Sequence, residues 1–249
     1  MFIVLEGVEG SGKSTQVRLL DEWLTERGID HIVTREPGGT ATGEDIRRIL
    51  LESEHIPPRA ELLLMLAARA VFVDERVRPV LERGGVVVAD RYELSTLAYQ
   101  AYGRGLPVED VRRMNAFATR GLVPDLTIVL DVPPEVGEAR RVREGRGADR
   151  IEQAGAAFHR KVAEAYRLLA ETEPRVERID GTGAPGASES EALADSLDPA
   201  RHAEAAGFHR IWFAEHHLSR SGASHHPELL IAAASSVTTT AKINMLISI

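Results

Sequence analysis

The chain has 249 residues, of which 43% are hydrophobic and 27% are charged, a balance typical of a globular protein with one sizeable core. Its formal net charge of −8 argues against a general nucleic-acid-binding surface, and the absence of cysteine excludes disulfides and thiolate metal sites. Because the sequence contains no run of about eighteen apolar residues and no leader-like start, we expect a cytoplasmic protein without a membrane partner.

The first predicted elements are an apolar strand over 2–6 and a helix over 13–27, joined by a glycine-rich loop. The loop reads G-x-x-x-x-G-K-S. Its glycines let successive backbone N–H groups face one concavity at a helix N-terminus, which predicts a polyphosphate site. Lys13 would reach the outer phosphates, and the Ser14 hydroxyl would ligate Mg²⁺. The predicted nucleotide-binding residues are Gly7, Val8, Glu9, Gly10, Ser11, Gly12, Lys13, Ser14 and Thr15.

Further strands and helices alternate along the chain up to residue 180. The predicted strands are 31–35, 85–89, 126–131 and 176–180, and the predicted helices are 43–52, 59–83, 108–120, 134–144 and 150–172. This alternation indicates βαβ units. It predicts an α/β fold of the P-loop NTP hydrolase type, with a parallel five-stranded sheet and helices on both faces.

Candidate ligand-binding residues follow four of these strands. Ligands of such sheets bind beyond the carboxyl ends of the strands. The phosphate loop follows the first strand, and the other three strands lead into Arg35-Glu36, Asp90-Arg91 and Asp131. This convergence predicts one site at that edge of the sheet.

Asp90 and Arg91 carry the chemistry that such a site needs. The carboxylate of Asp90 can bind Mg²⁺ or accept a proton, and the guanidinium of Arg91 can clamp a phosphate. Arg35 and Arg69 come from separate segments and also suit an anion. Glu9 lies inside an anion site, where it could hold a sugar hydroxyl of a second substrate. The alternatives are a structural Asp–Arg pair, single surface arginines and an exposed loop acid.

Residues 140–150 contain five arginines around two glycines. A segment of this kind can close over transferring phosphoryl oxygens and neutralise their charge. Arg146 and Arg150 flank its centre and are the candidate catalytic pair. The alternative is a solvated arginine-rich turn.

The composition changes after Asp180. Residues 181–188 are typical of a linker, and six of the nine histidines lie within 202–226. We expect a first domain over 1–186 and a second segment over 187–249. The second segment is predicted to contain a helix over 190–206, a strand over 209–214, a loop over 215–225, a helix over 227–238 and a strand over 242–248, a partial βα tail.

Residues 1–186 resemble the thymidylate kinases, a family of P-loop nucleoside-monophosphate kinases. Besides the phosphate loop, the matching motifs are Thr34-Arg35-Glu36-Pro37-Gly38-Gly39-Thr40, Ala67-Ala68-Arg69, Asp90-Arg91-Tyr92 and Asp149-Arg150-Ile151-Glu152. The resemblance implies phosphorylation of dTMP by ATP and Mg²⁺ in a homodimer formed through helix 59–83. It implies that Ser14 and Asp90 hold the metal and that Lys13, Asp90, Arg91, Arg146 and Arg150 are catalytic.

The same resemblance implies an acceptor site. Arg35 and Arg91 would hold the dTMP phosphate, Glu9 its 3′-hydroxyl, and Arg69 with Thr96 the thymine edge. Met65 stands where the family usually has a phenylalanine, and its thioether can cover a ring face. The full set of implied substrate-binding residues is Glu9, Arg35, Met65, Arg69, Arg91, Ser95, Thr96, Tyr99 and Gln100.

Residues 188–249 resemble an internal fragment of the luciferase-like flavin monooxygenases. The match includes Gly207-Phe208-His209-Arg210-Ile211-Trp212 and Ala214-Glu215-His216-His217. That family folds as a (β/α)₈ barrel of about 250 residues, so this segment is too short to close one. We expect a non-catalytic tail.

Several alternatives stay open on the sequence. The chain could phosphorylate another nucleoside monophosphate, or be an inactive fusion product. A regulatory GTPase would need a guanine-reading Asn-Lys-x-Asp segment, which the sequence lacks. A flavin-dependent oxidoreductase acting through the tail is the remaining alternative.

Overall fold

The structure is a computed structural model that describes residues 1–143, 145, 147, 149–182, 210–214 and 242–246. The chain divides into two compact units. The first unit joins Met1–Arg18 to Asp30–Thr182, and the second joins Leu19–Ile29 to Gly183–Ile249.

The first unit is built on a five-stranded sheet in which all neighbouring strands are parallel. The strand order is β2-β3-β1-β4-β5. The strands are β1 (Phe2–Glu6), β2 (His31–Arg35), β3 (Val86–Asp90), β4 (Leu126–Asp131) and β5 (Val176–Asp180). The predicted parallel α/β sheet is therefore confirmed, with the third strand shifted by one residue.

Strand β1 lies at the centre of the sheet. All five of its residues are buried, as expected for an apolar strand covered on both faces. Leu5 is paired with Asp90 of β3 on one side and with Ile128 of β4 on the other. The carboxyl ends of these three strands therefore meet where the strand order reverses, which is where such sheets bind ligands.

The helices agree with the predicted ones except at three places. They are α1 (Lys13–Glu26), α2 (Ala41–Glu52), α3 (Pro58–Phe72), α4 (Arg78–Glu82), α5 (Glu93–Thr96), α6 (Val108–Thr119), α7 (Pro134–Arg143) and α8 (Ala156–Thr172). The helix predicted over 59–83 is divided by a π-helical turn, Val73–Val77. A second π-helical segment, Leu97–Gly103, continues α5, and the sequence analysis predicted neither α5 nor the two π-helical segments.

Helix α8 begins at Ala156, whereas the sequence pattern placed its start at 150. Asp149 accepts hydrogen bonds from the backbone N–H groups of Ile151 and Glu152, which starts a separate 3₁₀ turn, Glu152–Ala154. Gly155 then adopts a φ of 90°, outside the helical range. These residues form a turn because the aspartate bonds the backbone locally.

Aromatic residues anchor the core beside the candidate site. Tyr92 packs edge-on against Phe2, with the ring centroids 5.0 Å apart. Tyr99 contacts Phe158 and Tyr166 in the same manner, at 6.0 and 6.3 Å. The loop after β3 and the π-helical segment are thereby held against β1 and α8.

In the second unit the described strands are β6 (Arg210–Ala214) and β7 (Lys242–Leu246), which form a parallel pair. They match the core of the two strands predicted for the tail. The helices predicted over 190–206 and 227–238 lie outside the described residues. Among the helices that the structure describes, none is both long and apolar enough to cross a membrane.

Candidate active site

The glycine-rich loop after β1 has the backbone shape of a phosphate cradle. Gly7, Gly10 and Gly12 all have positive φ angles, of 137°, 72° and 101°. A Cβ on Gly12 would meet no other atom within 4 Å, so glycine is favoured there by its backbone conformation and not by lack of space. This shape turns backbone N–H groups toward one point at the start of α1, where an anion is stabilised.

Lys13 is buried beneath this loop. Its ammonium group donates to the carbonyl oxygens of Gly7 at 3.1 Å and Val8 at 2.8 Å. Burial, with help from the positive charge of Arg91, lowers the pKa of Lys13 to about 8. A buried ammonium bound only to neutral oxygens is well suited to bind an anion.

Ser14 and Asp90 bring two hard oxygen ligands together. The Ser14 hydroxyl, at the start of α1, donates to Asp90 Oδ2, at the end of β3, at 3.2 Å. A hydroxyl and a carboxylate at the mouth of a phosphate loop form the donor set that Mg²⁺ prefers. These two residues therefore fit the predicted magnesium site.

Helix α7 packs directly on the outer side of the phosphate loop. A Cβ on Gly137 would lie 2.2 Å from the carbonyl oxygen of Glu9, and one on Gly10 would lie 2.1 Å from that of Gly137. Neither position has room for a side chain. Arg140, one turn further along, donates to the carbonyl oxygens of Gly181 and Thr182, both at 2.9 Å.

A second pocket opens beside the phosphate loop. It lies between residues from the phosphate loop, the loop after β2, α2, α3, the loop after β3, α5, the π-helical segment, and the turn and first residues of α8. The pocket is lined by Glu9, Glu36, Pro37, Arg47, Leu51, Met65, Arg69, Arg91, Ser95, Thr96, Tyr99, Gln100, Asp149, Ile151, Glu152 and His159.

Arg91 joins the two sites. Its backbone has a φ of 76°, a left-handed conformation that costs a residue with a side chain about 1–2 kcal/mol. The guanidinium donates to the Gly7 carbonyl at 3.0 Å and to Glu9 at 3.4 Å. Arg91 therefore reaches from the pocket to the phosphate loop.

A buried network supports Arg91 from behind. Glu6 accepts hydrogen bonds from the backbone N–H of Tyr92 at 2.8 Å and from the hydroxyls of Ser95 at 2.6 Å and Tyr166 at 2.8 Å. Arg91 in turn donates to those two hydroxyls at 3.2 Å each. This network holds the loop after β3 in its strained shape.

Arg69 lies at the base of the pocket and is almost fully buried. It pairs with Glu36, with Nη2 2.7 Å from Oε2, and donates to Thr96 and Asn115 at 2.7 and 2.6 Å. Burial raises the pKa of Glu36 to about 7, although Arg69 opposes this rise. Thr96 accepts from Arg69, so its hydroxyl proton can point elsewhere.

A second buried carboxylate, Glu61 on α3, lies behind the pocket lining and bonds the lining residue Gln100. Gln100 donates to its Oε1 at 2.8 Å, Arg104 donates to both of its oxygens at 3.2 Å, and Arg150 pairs with its Oε2 at 2.8 Å. Arg150 also donates to the Leu50 carbonyl at 2.8 Å. Arg150, predicted as a catalytic arginine, is thus tied to α2 and α3 in this structure.

The structure brings most of the predicted substrate-binding residues into one pocket. Eight of them are in its lining: Glu9, Met65, Arg69, Arg91, Ser95, Thr96, Tyr99 and Gln100. Arg35 is not among the lining residues that the structure describes, and its guanidinium pairs with Glu44 at 3.2 Å. Arg146 lies outside the described residues.

The sequence analysis did not assign eight lining residues to the pocket, although it named Glu36 as a candidate ligand-binding residue. They are Glu36, Pro37, Arg47, Leu51, Asp149, Ile151, Glu152 and His159. Five of these lie in motifs that the sequence analysis quoted but did not assign to the pocket. Arg47 and Leu51 are four residues apart on α2 and therefore share one face, a signal that helical spacing could have supplied.

The sheet is parallel and carries a phosphate loop at its switch point, and a second pocket shares Arg91 with that loop. This combination defines a P-loop nucleoside-monophosphate kinase. A family model described as thymidylate kinase matches residues 5–191. The chain belongs to the thymidylate kinase family.

Individual relatives agree with this assignment. The thymidylate kinase of Carboxydothermus hydrogenoformans is 50% identical over 186 residues, which are 74% of this chain and 90% of that protein. That of Thermomicrobium roseum is 49% identical over 197 residues, 79% of this chain and 91% of that protein. The crystal structure of thymidylate kinase from Ehrlichia chaffeensis matches with a TM-score of 0.62 at 31% identity, covering 73% of this chain and 93% of that one.

The C-terminal part has a second similarity. A family model described as luciferase-like monooxygenase matches residues 176–249. This match overlaps the end of the thymidylate kinase match and includes β6 and β7.

Proposed function

We propose that this chain transfers the γ-phosphoryl group of ATP to dTMP, forming dTDP and ADP, in the supply of dTTP. The observation that carries the proposal is the arrangement of Arg91, which reaches both the phosphate loop and the acceptor pocket. The thymidylate kinases that are about half identical to the chain support the choice of dTMP.

The donor nucleotide would be held by residues 7–15. Lys13 would exchange its bonds to the loop carbonyls for bonds to phosphate oxygens, and Ser14 and Asp90 would hold Mg²⁺. When bound, Mg²⁺ would neutralise charge on the phosphate oxygens. The protein's own contribution there is a preformed concavity of N–H groups, which binds charge without further reorganisation.

The acceptor would occupy the second pocket. Arg91 would clamp its phosphate, with Arg35 if that side chain leaves Glu44, and Glu9 would accept a hydrogen bond from the 3′-hydroxyl. Arg69 and Thr96 would bind the base edge, and Met65 would cover its face. Ser95, Tyr99 and Gln100 complete the wall around the sugar and base.

Catalysis by these residues would consist of positioning and charge neutralisation. The attacking oxygen belongs to a phosphate that is already an anion, so no strong base is required. Arg91 stays bonded to Gly7 and Glu9 in the strained loop. These bonds hold its positive charge in the space between the two sites. Arg146 and Arg150 remain proposed lid arginines. For Arg150 this role requires release from Glu61.

The direct test is ADP formation by the purified full-length chain with ATP, Mg²⁺ and single monophosphates. We expect turnover with dTMP, and a Lys13→Ala variant should lose it almost completely. Lys161→Ala, which removes an exposed lysine of α8, is the matched control and should behave like the wild type. Absence of dTMP-dependent ADP from the wild type would refute the proposal.

The same assay separates the alternatives. A specificity constant higher for another monophosphate than for dTMP would favour a different acceptor. Purified protein with flavin absorbance would favour an oxidoreductase. No described residue and no comparison favours either alternative over dTMP phosphorylation. We propose that the segment 187–249 is a non-catalytic tail of a cytoplasmic enzyme.

We also propose that the enzyme is a homodimer. Three apolar side chains on the packed pair α3 and α6 are exposed: Leu63 at 58%, Met114 at 41% and Phe117 at 88%. Exposed apolar side chains on two helices that pack together are typical of an association surface. Light scattering should give twice the chain mass for the wild type and a lower mass for Phe117→Glu, whereas Val142→Glu, at an exposed valine of α7, should leave the dimer intact.

A further inference from the structure

The carboxylate of Glu61 holds the side-chain amide of Gln100 in one orientation. The side-chain nitrogen of Gln100 donates to Glu61 Oε1 at 2.8 Å, and both residues are only 1% exposed. An ionised carboxylate accepts hydrogen bonds but cannot donate them. The amide NH₂ of Gln100 must therefore face Glu61, and its carbonyl oxygen is directed to the other side.

Glu61 is kept ionised by the groups around it. Burial alone would raise its pKa, but hydrogen bonds from Arg104, Gln100 and Arg150 outweigh burial and lower it. Arg104 and Arg150 also occupy the oxygen that Gln100 does not use, Oε2, at 3.2 and 2.8 Å. The carboxylate thus has donors on both oxygens, and Gln100 is one of them.

We propose, on the basis of the proposed function, that Glu61 is a positioning residue that sets base specificity by fixing the Gln100 carbonyl toward the pocket. A carbonyl oxygen in that place accepts the N3–H of a keto pyrimidine such as thymine. It opposes the unprotonated N3 of cytosine, because two acceptors then face each other. A site built to receive one hydrogen bond discriminates strongly against a base that cannot form it.

The substitution Glu61→Gln tests this proposal because it should reverse the Gln100 amide. Both Arg104 and Arg150 donate at the Oε2 position, whereas only Arg104 Nε donates beside Gln100 at the Oε1 position, so the introduced amide should keep its oxygen at the Oε2 position. Its NH₂ group then faces Gln100, which turns its own carbonyl to that NH₂ group and its own NH₂ to the pocket. The pocket then donates where it accepted before.

The measurement is the ratio of kcat/KM for dTMP to that for 5-methyl-dCMP, two substrates that differ only at positions 3 and 4 of the base. We expect this ratio to fall at least about tenfold in Glu61→Gln. Arg104→Lys keeps a cation beside Glu61 and leaves the carboxylate in place, so the ratio should stay at the wild-type value. In a Gln100→Leu background, Glu61→Gln should have no further effect on the ratio.

Each outcome of these measurements either supports or overturns the proposed role of Glu61. An unchanged ratio in Glu61→Gln, with a lowered melting temperature, would mean that Glu61 is only structural. The same follows if the ratio falls equally with and without Gln100. A wild-type protein that phosphorylates neither substrate would overturn the proposed function and this inference with it, whereas dTMP turnover with an unchanged ratio overturns this inference alone.

Discussion

Lys13 enters its site with a pKa near 8, because burial and the neighbouring Arg91 disfavour its charge. Only the charged form attracts phosphate, so the free protein loses its binding form as the pH rises through 8. We expect the dissociation constant of ATP to increase about tenfold between pH 7 and pH 9. Calorimetric titration at several pH values measures this.

Lys13→Arg is the control for that titration. A guanidinium stays charged throughout this range, so any ATP affinity that the variant retains should not depend on pH between 7 and 9. A flat wild-type profile would show that Lys13 does not control the pH dependence.

Tyr166 supports Arg91 through its hydroxyl, which also bonds Glu6 and Ser95. Tyr166→Phe removes these bonds from a buried site at a cost of about 1–1.5 kcal/mol. We expect kcat/KM for dTMP to fall about tenfold, together with a lower melting temperature. Tyr102→Phe, at a half-buried tyrosine outside this network, should change neither quantity, and equal effects of the two substitutions would contradict the assignment.

The sequence predicted which residues line the acceptor pocket better than it predicted their partners. Eight residues from three separate segments, at 9, 65–69 and 91–100, were assigned to one site, and they do lie together. Arg35 and Arg150 were assigned to phosphate, but in this structure they pair with Glu44 and Glu61. Whether each arginine binds a phosphate or a protein carboxylate depends on distances in the folded structure, which cannot be read from composition or residue spacing.

At the level of elements, the contact between α7 and the phosphate loop has no room for a side chain. A Cβ on Gly137 would lie 2.2 Å from the Glu9 carbonyl, which is part of the cradle. Gly137→Ala must therefore push the loop and the helix apart. We expect ATP affinity to fall at least about tenfold, together with a loss of about 1–3 kcal/mol in stability.

Glu138→Ala is the matched control for Gly137→Ala. It adds no volume, and it changes the exposed side of the same helix. Isothermal titration and thermal unfolding of both variants provide the comparison. An alanine at 137 that binds ATP as tightly as the wild type would show that the contact does not shape the cradle.

Most helices and strands of the first unit could be predicted from hydrophobic periodicity and from the glycines between them. All five strands were placed to within one residue, because apolar runs such as Val86–Ala89 end in charged residues. The π-helical turns at Val73–Val77 and Leu97–Gly103 left no trace in the pattern, since their apolar residues suit an α-helix equally well. The late start of α8 depended on local bonds of Asp149 to the backbone.

For the whole molecule, the division into two compact units predicts that removing the tail affects substrate binding and stability differently. The described residues of both candidate sites belong to the first unit. The second unit joins Gly183–Ile249 to Leu19–Ile29, which includes the buried side chains of Leu20, Trp23 and Leu24. We expect a chain ending at Gly186 to keep its KM for dTMP within about twofold at low temperature, and to melt earlier than the full-length chain.

The comparison requires enzyme assays and thermal unfolding of both chains, purified in parallel. Circular dichroism at the assay temperature is the control for folding. If the shortened chain is folded at that temperature but inactive, the tail contributes to the active site. If it melts at the same temperature as the full-length chain, the tail adds no stability.

The strand order β2-β3-β1-β4-β5 also bears on how the chain folds during its synthesis. β1 and β2 are made first, yet both take β3 as a neighbour and they do not pair with each other. Both therefore lack a strand partner until Val86–Asp90 leaves the ribosome, and the exposed edges of β1, which is apolar, and of β2 promote aggregation during that time. We expect protease protection of β1 to begin only in stalled nascent chains that expose β3. The arrival of β3 closes two strand pairs and delivers Asp90 to the phosphate loop in a single event.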